Sequence, residues 1–244
     1  MSKQRQQIAN TAADVISMDI RPLNATAMED LCIGNNFGHM ARYCPDKRPP
    51  SSLGSSASQV DRTLVPVKLN MGVSSLDGQN IPATPQVLLD AAVYRYNRKE
   101  GLLSSENSWL CASLMLKNFM YQYNFDTKSH RIKSAIEEYL VFSLADRKFA
   151  QRLDDSWDIL ERSHQNSYDD RCSLYRVNKF LITAAEFCNC LYKIYSEQLF
   201  KPNDFLQWLS DDLAYEIAQR RDGRWKRVSE WREIDRKKNW NSSN

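Results

Sequence analysis

Residues 136–160 read IEEYLVFSLADRKFAQRLDDSWDIL, and this stretch decides the fold class. Ile136, Tyr139 and Leu140 continue from Ile132 at intervals of three and four. Beyond the Leu144-Ala145-Asp146 break, Phe149, Leu153, Trp157 and Leu160 form a second stripe. Side chains spaced this way share one face of a helix. Two amphipathic helices joined by so short a break lie antiparallel. The stretch therefore predicts a helical hairpin.

The same period extends outward in both directions. Trp109, Ser113, Leu116, Met120 and Tyr123 form a stripe before it. Leu174, Val177, Leu181, Ala184, Cys188, Leu191 and Tyr195 form the longest stripe after it. Phe205, Leu209, Leu213 and Ile217 form the last. Breaks are expected at YNFDTKSH, SHQNSYDD and LFKPND. Asp126 or Thr127 is placed to cap the helix that follows, and Pro202 stands near a helix start. About six helices are expected between residues 86 and 222. With only 7 Gly and 8 Pro in 244 residues, a turn-rich β fold is disfavoured. The expectation is an all-α chain of stacked antiparallel helical hairpins, either a bundle or an α-solenoid of the HEAT type.

Residues 1–84 differ in composition. SSLGSSASQ and VPVKLNMGVSSLDGQNIPATP carry Ser, Gly, Pro and Asn without a sustained period. Such a segment buries too little apolar surface to offset its ordering entropy, so a largely disordered arm is expected. VDRTLVPVKLNM has the makings of a docked extended strand, but Pro66 interrupts it. The domain reading is an arm over 1–84, a helical domain over 86–222 and a basic, Trp-rich helix or tail over 223–244.

The totals exclude some classes. No run approaches the roughly 20 apolar residues that span a bilayer. The first twenty residues contain no apolar core of a secretory signal. The six Cys, at 32, 44, 111, 172, 188 and 190, do not form a secreted disulfide framework. A reducing compartment is expected, the cytoplasm first and the nucleus second. A net charge of +3 implies nothing about nucleic acid by itself, so local clusters must carry that argument.

CIGNNFGHMARYCPDKRPP, residues 32–50, has half of a zinc knuckle. A retroviral-type knuckle needs Cys-x2-Cys-x4-His-x4-Cys to close a tetrahedron of three thiolates and one imidazole. His39 and Cys44 keep the downstream spacing. Upstream, Asn35 stands three residues after Cys32 where the second Cys belongs, and the gap to His39 is one residue short. Cys32, His39 and Cys44 would be the metal ligands, with Asp30 or Asp46 as the fourth. Three ligands do not close a structural zinc site, so the segment reads as a degenerate knuckle over 32–44 without a required cofactor. Arg42, Lys47 and Arg48, with Phe37 and Tyr43, suit weak contact with single-stranded RNA.

The densest charge cluster is C-terminal. From Arg220 to Lys238 there are nine Lys or Arg against four Asp or Glu, interleaved with Trp225 and Trp231. Arg220, Arg221, Arg224, Trp225, Lys226, Arg227 and Trp231 are the candidate RNA contacts, because bases neutralise phosphates and indoles stack on nucleobases. The competing expectation is a final amphipathic helix with Trp225, Val228 and Trp231 on its packed face. His130 and His164 read as ordinary residues at loop–helix junctions, and Asp154-Asp155 and Asp211-Asp212 as solvated helix faces. No phosphate loop, nucleophile elbow or HExxH motif occurs, and no catalytic residue is nominated.

IEEYLVFSLADRKFAQRLDDSWDIL resembles the second-hairpin signature of MIF4G domains, the helical middle domains of translation-initiation scaffolds. That signature is an amphipathic helix, a short acidic or small-residue break and a Lys-Phe or Asn-Phe pair, here Lys148-Phe149. YRVNKFLITAAEFCNCLYKIYSEQLFKPNDFLQWL is similar to the family's later apolar helix pair, with Phe180, Glu186, Phe187, Leu191 and Tyr192 in frame. Ala185-Glu186-Phe187 replaces the family's Gly-Glu-Leu centre. The resemblance covers about residues 86–222. It implies a non-enzymatic adaptor in translation or mRNA regulation, with a DEAD-box helicase or another translation or mRNA factor as partner. The cap-binding pattern Tyr-x4-Leu has one near match, Tyr139 to Leu144, whose Tyr belongs to the core stripe. The alternative is a retroelement-derived or viral nucleocapsid-like protein, although there the helices precede the knuckle.

Overall fold

Short polar side chains, Thr84, Ser129 and Asp146, cap three of the helix starts among the described residues. A computed structural model describes residues 62–75, 83–169 and 171–242. The knuckle residues Cys32, His39 and Cys44 and the arm residues Arg42, Lys47 and Arg48 lie outside the described residues. Helix α1 (Pro85–Asn97) begins with Pro85 at its first position, where a missing N–H costs nothing, and Thr84 accepts from Val87 N. Helix α2 (Gly101–Gln122) follows, then strand β1 (Phe125–Thr127). Helix α3 (His130–Ser143) is capped by Ser129, which accepts from Ile132 N at 3.2 Å. The expected caps Asp126 and Thr127 are instead part of β1.

The hairpin expected over 136–160 is present. Helix α4 (Arg147–Asp169) starts where Asp146 Oδ1 accepts from Lys148 N and Phe149 N. It runs through most of SHQNSYDD, so His164 lies within the helix and not at a junction. Helix α5 (Leu174–Ser196) and the short α6 (Pro202–Trp208) complete the six helices expected before residue 222.

From Leu209 onward the fold departs from all-α. The Phe205, Leu209, Leu213 and Ile217 stripe is not one helix. It crosses the end of α6, a 3-10 turn (Leu213–Tyr215) and strand β2 (Ile217–Arg221). Strand β3 (Arg224–Arg227) returns antiparallel, and α7 (Val228–Ser242) closes the chain. The three-stranded antiparallel sheet has the order β1-β2-β3, with Phe125 opposite Gln219 and Arg220 opposite Trp225. The chain is thus mostly helical, with seven helices among the described residues and one small sheet. None of these helices is long and apolar enough to cross a membrane.

Helix α2 is central and packs against α1, α4 and α5, while α3 rests on α4. The core joins Met115, Leu116 and Phe119 of α2 to Ile132, Ile136 and Leu140 of α3, Leu153 of α4 and Phe187 of α5. Tyr139 is buried in it, as its stripe requires. The thiols of Cys111 and Cys188 meet at 3.6 Å in this interior. Part of residues 62–75 is docked, as VDRTLVPVKLNM allowed. Leu64 and Val67 are buried against the helices, and Asn189 of α5 bonds both Val67 N and Val67 O, at 3.0 and 3.2 Å. The backbone there is extended without joining the sheet, as Pro66 suggested.

One core position is chemically odd. Glu137 of α3 is only 5 % exposed, and its Oε1 has no hydrogen-bond partner among the described residues. Burial, then the charges of Asp154, Asp158, Glu138 and Glu161, push its carboxyl from the ordinary 4.5 up to about 8. The folded chain therefore holds this proton more tightly than the unfolded chain. Stability falls as pH rises from about 4.5 to about 8 and is flat on either side, as far as this group is concerned. Glu137→Gln removes the titration. In urea melts it is expected to raise stability at pH 9 by on the order of 3 kcal/mol, and to change little at pH 4. Equal effects at both pH values would contradict the assignment.

Candidate nucleic-acid interface

The first half of the C-terminal basic cluster folds as a ribbon of β2 and β3, and the second half is helix α7, as the expectation of a final helix had it. Asp222 and Gly223 connect β2 to β3 with φ of 51° and 75°. Positive φ at both central residues is the type I′ turn, whose twist suits a two-residue hairpin. Gly takes this conformation freely, and Asp is among the few other residues that tolerate it.

Strand alternation then sorts the side chains. Phe125, Thr127 and Ile217 face the core and are fully buried. Lys226 and Arg221 share that side and meet Trp231 of α7, with the Arg221 guanidinium 5.4 Å from the indole centroid. Arg221 also donates to Gln219 and to Asp235, at 2.7 and 2.8 Å. Trp231 is 4 % exposed, and its Nε1 donates to Gln219 O at 2.9 Å. Buried and hydrogen-bonded, Trp231 cannot stack on a base, which corrects its nomination. Arg221 is likewise engaged by Asp235.

The opposite face carries Asp126, Ala218, Arg220, Trp225 and Arg227, in register across the three strands. Arg220 and Arg227 are exposed and form no ion pair among the described residues. Arg224 is exposed at the hairpin tip. Asp126 is answered by Lys117 of α2 at 3.7 Å, so its charge is offset. Trp225 is 38 % exposed and stacks on Tyr121 of α2, with ring centroids 5.6 Å apart and planes 22° apart. Arg62 lies over the same Tyr121 ring at 3.9 Å. It is held there because Arg62 O accepts from Gln122 Nε2 at 2.7 Å.

The structure thus gathers three guanidinium groups, Arg62, Arg220 and Arg227, beside a two-ring aromatic stack. Of the sequence candidates, Arg220, Trp225 and Arg227 come together, Arg224 adds to the tip and Lys226 turns toward Trp231. Tyr121 and Arg62 were missed. Tyr121 sits on a helical segment whose stripe gave it no role, and Arg62 belongs to a segment with no period.

The histidines gather elsewhere, around Trp109. His130 and His164 each stand 5.0 Å from its ring, and they pair with Glu161 and Glu106 at 2.8 and 3.2 Å. No group of three His, Cys, Asp or Glu among the described residues is placed to hold a metal. No family model, curated protein or solved structure matches the chain.

Proposed function

We propose that this chain is a non-enzymatic, RNA-associated adaptor, with the outer face of the β2–β3 ribbon as its nucleic-acid contact. The observation that carries the reading is the juxtaposition of Trp225, stacked on Tyr121, with the exposed Arg220 and Arg227 and the guanidinium of Arg62. Cations neutralise phosphates, and an aromatic ring offers a face to any base. An exposed ribbon face that pairs cations with an aromatic ring suits single-stranded RNA and gives little sequence selectivity.

The resemblance of residues 86–222 to MIF4G domains supports the adaptor half of this reading. It assigns the helical hairpins to a protein partner, such as a DEAD-box helicase or a translation or mRNA factor, in the cytoplasm. Fluorescence anisotropy with a labelled single-stranded oligo-uridine tests the RNA half. Three or four phosphate contacts imply that log K falls against log salt with a slope of about −2 to −3. Absence of binding by the full chain at low salt would sink it.

A further inference from the structure

We infer that the cleft between α1 and α5 is a recognition site for an extended segment of a protein partner, covered in the free chain by the chain's own residues 64–73. This strap is gripped by its backbone. Asn189 of α5 accepts from Val67 N at 3.0 Å and donates to Val67 O at 3.2 Å. Gln86 of α1 does the same to the next residue, accepting from Lys68 N at 2.8 Å and donating to Lys68 O at 3.0 Å. Asp90 steadies the Gln86 amide by accepting from it at 2.8 Å. Asn97, at the other end of α1, donates to Met71 O and Val73 O, both at 3.0 Å. Three carboxamides thus take the place of a neighbouring strand. Leu64 and Val67 are buried in the main core, and Leu69 and Val73 lie on Ala92 and Val93 of α1 and Leu181 of α5.

This is the chemistry of extended-peptide recognition, in which main-chain hydrogen bonds supply affinity and pockets for spaced side chains supply selectivity. A carboxamide that bonds both the N–H and the C=O of one residue grips backbone alone and accepts any side chain there. The buried places of Leu64, Val67 and Leu69 demand apolar groups. The fitting partner segment is therefore extended and apolar at its first, fourth and sixth residues. The strap that holds the cleft is weakly fastened. Among the described residues, no backbone-to-backbone hydrogen bond joins 64–73 to a helix or to the sheet. Its bonds at Lys68, Met71 and Val73 are open to water, and Val65, Pro66 and Lys68 are exposed. Few buried side chains and solvated backbone bonds mark a segment that opens locally, at less cost than global unfolding. Opening bares the apolar floor of Ala92, Val93 and Leu181, which a segment of the same pattern covers again.

The cleft rests on the adaptor reading, for which it is the protein-binding side. A tethered strap competes with an incoming peptide at an effective concentration of about 1 mM. The probe is a fluorescein-labelled peptide with the sequence of residues 62–74, titrated with the full chain and followed by anisotropy. Leu64→Asp with Val67→Asp in the chain loosens the strap and leaves the cleft unchanged. That variant is expected to bind the probe about tenfold more tightly than the wild type. Adding Asn189→Ala is expected to remove most of the gain, because both bonds to the peptide backbone are lost. A loosened variant that keeps the wild-type circular dichroism spectrum and binds the probe no better than the wild type would overturn the proposal. Where that variant does not fold, hydrogen exchange of the wild type decides. The Val67 and Lys68 amides are expected to exchange by local opening, well before the core amides of α2. Exchange of all of them in one global step would overturn the proposal. A wild-type dimer that dissociates in the loosened variant would overturn the choice of partner and give the cleft to the strap of a second copy. Oligo-uridine binding on the same samples separates this inference from the RNA reading. Probe binding without oligo-uridine binding removes the RNA half and keeps the cleft, and the reverse removes the cleft alone.

Discussion

Arg220→Glu combined with Arg227→Glu is expected to weaken oligo-uridine binding about thirtyfold at moderate salt and to flatten the salt slope by more than one unit. Both side chains project from the outer face of the ribbon, on neighbouring strands, without a carboxylate partner among the described residues. On the proposed function, reversal would remove two phosphate contacts and add two repulsions. Neither residue is buried, so the melting temperature should barely move. Trp225→Ala is the uncharged companion. Loss of one base stack costs about 1–3 kcal/mol and leaves the salt slope intact. If both variants bind like the wild type, the ribbon is not the contact.

Trp231→Ala is expected to act in the opposite sense, on stability before binding. The indole is buried between α7 and the sheet, and its N–H satisfies Gln219 O. Truncating a buried Trp costs about 3–5 kcal/mol, and an unpaired carbonyl adds to that. The Arg221 and Lys226 side chains also lose the ring they lie over. The damage should be local. Hydrogen exchange is expected to quicken over 217–242 while the core amides of α2 and α5 stay protected. Uniform loss of protection across α2 and α5 would show that the C-terminal elements are integral to the helical core. On the proposed function, RNA affinity is also expected to fall in this variant, because the ribbon loses its support and not because a base contact is lost.

These two tryptophans show what the sequence could and could not tell. Both were read as members of one basic cluster, and a helical wheel placed both on one packed face. Spacing alone cannot separate a packed indole from an exposed one when the element type is wrong. The needed signal was present in Asp222-Gly223, a dipeptide that favours type I′ hairpins, flanked by residues that pair as strands. The Phe205, Leu209, Leu213 and Ile217 series misled in a related way. Its four-residue spacing is helical, and Phe205, Leu209 and Ile217 are indeed buried, but each reaches the core from a different kind of element.

The central hairpin was legible because two signals agreed. The stripes of α3 and α4 bury where the period says they should, and Asp146 caps α4 at the expected break. Glu137 was not legible. It sits next to a stripe of apolar residues, and only the approach of α4 shows that it is enclosed among acids. Arg62 and Tyr121 were illegible for the same reason: their meeting depends on a segment that has no period of its own, held by Asn189 and Gln122.

Photo-crosslinking of the full chain to a 5-bromouridine-substituted oligonucleotide, with peptide mapping of the adducts, tests the central claim most directly. The account predicts adducts on Trp225 and Tyr121 that disappear at high salt and in the Arg220→Glu/Arg227→Glu variant. Adducts confined to residues 1–61, with Trp225 and Tyr121 unmarked, would contradict it.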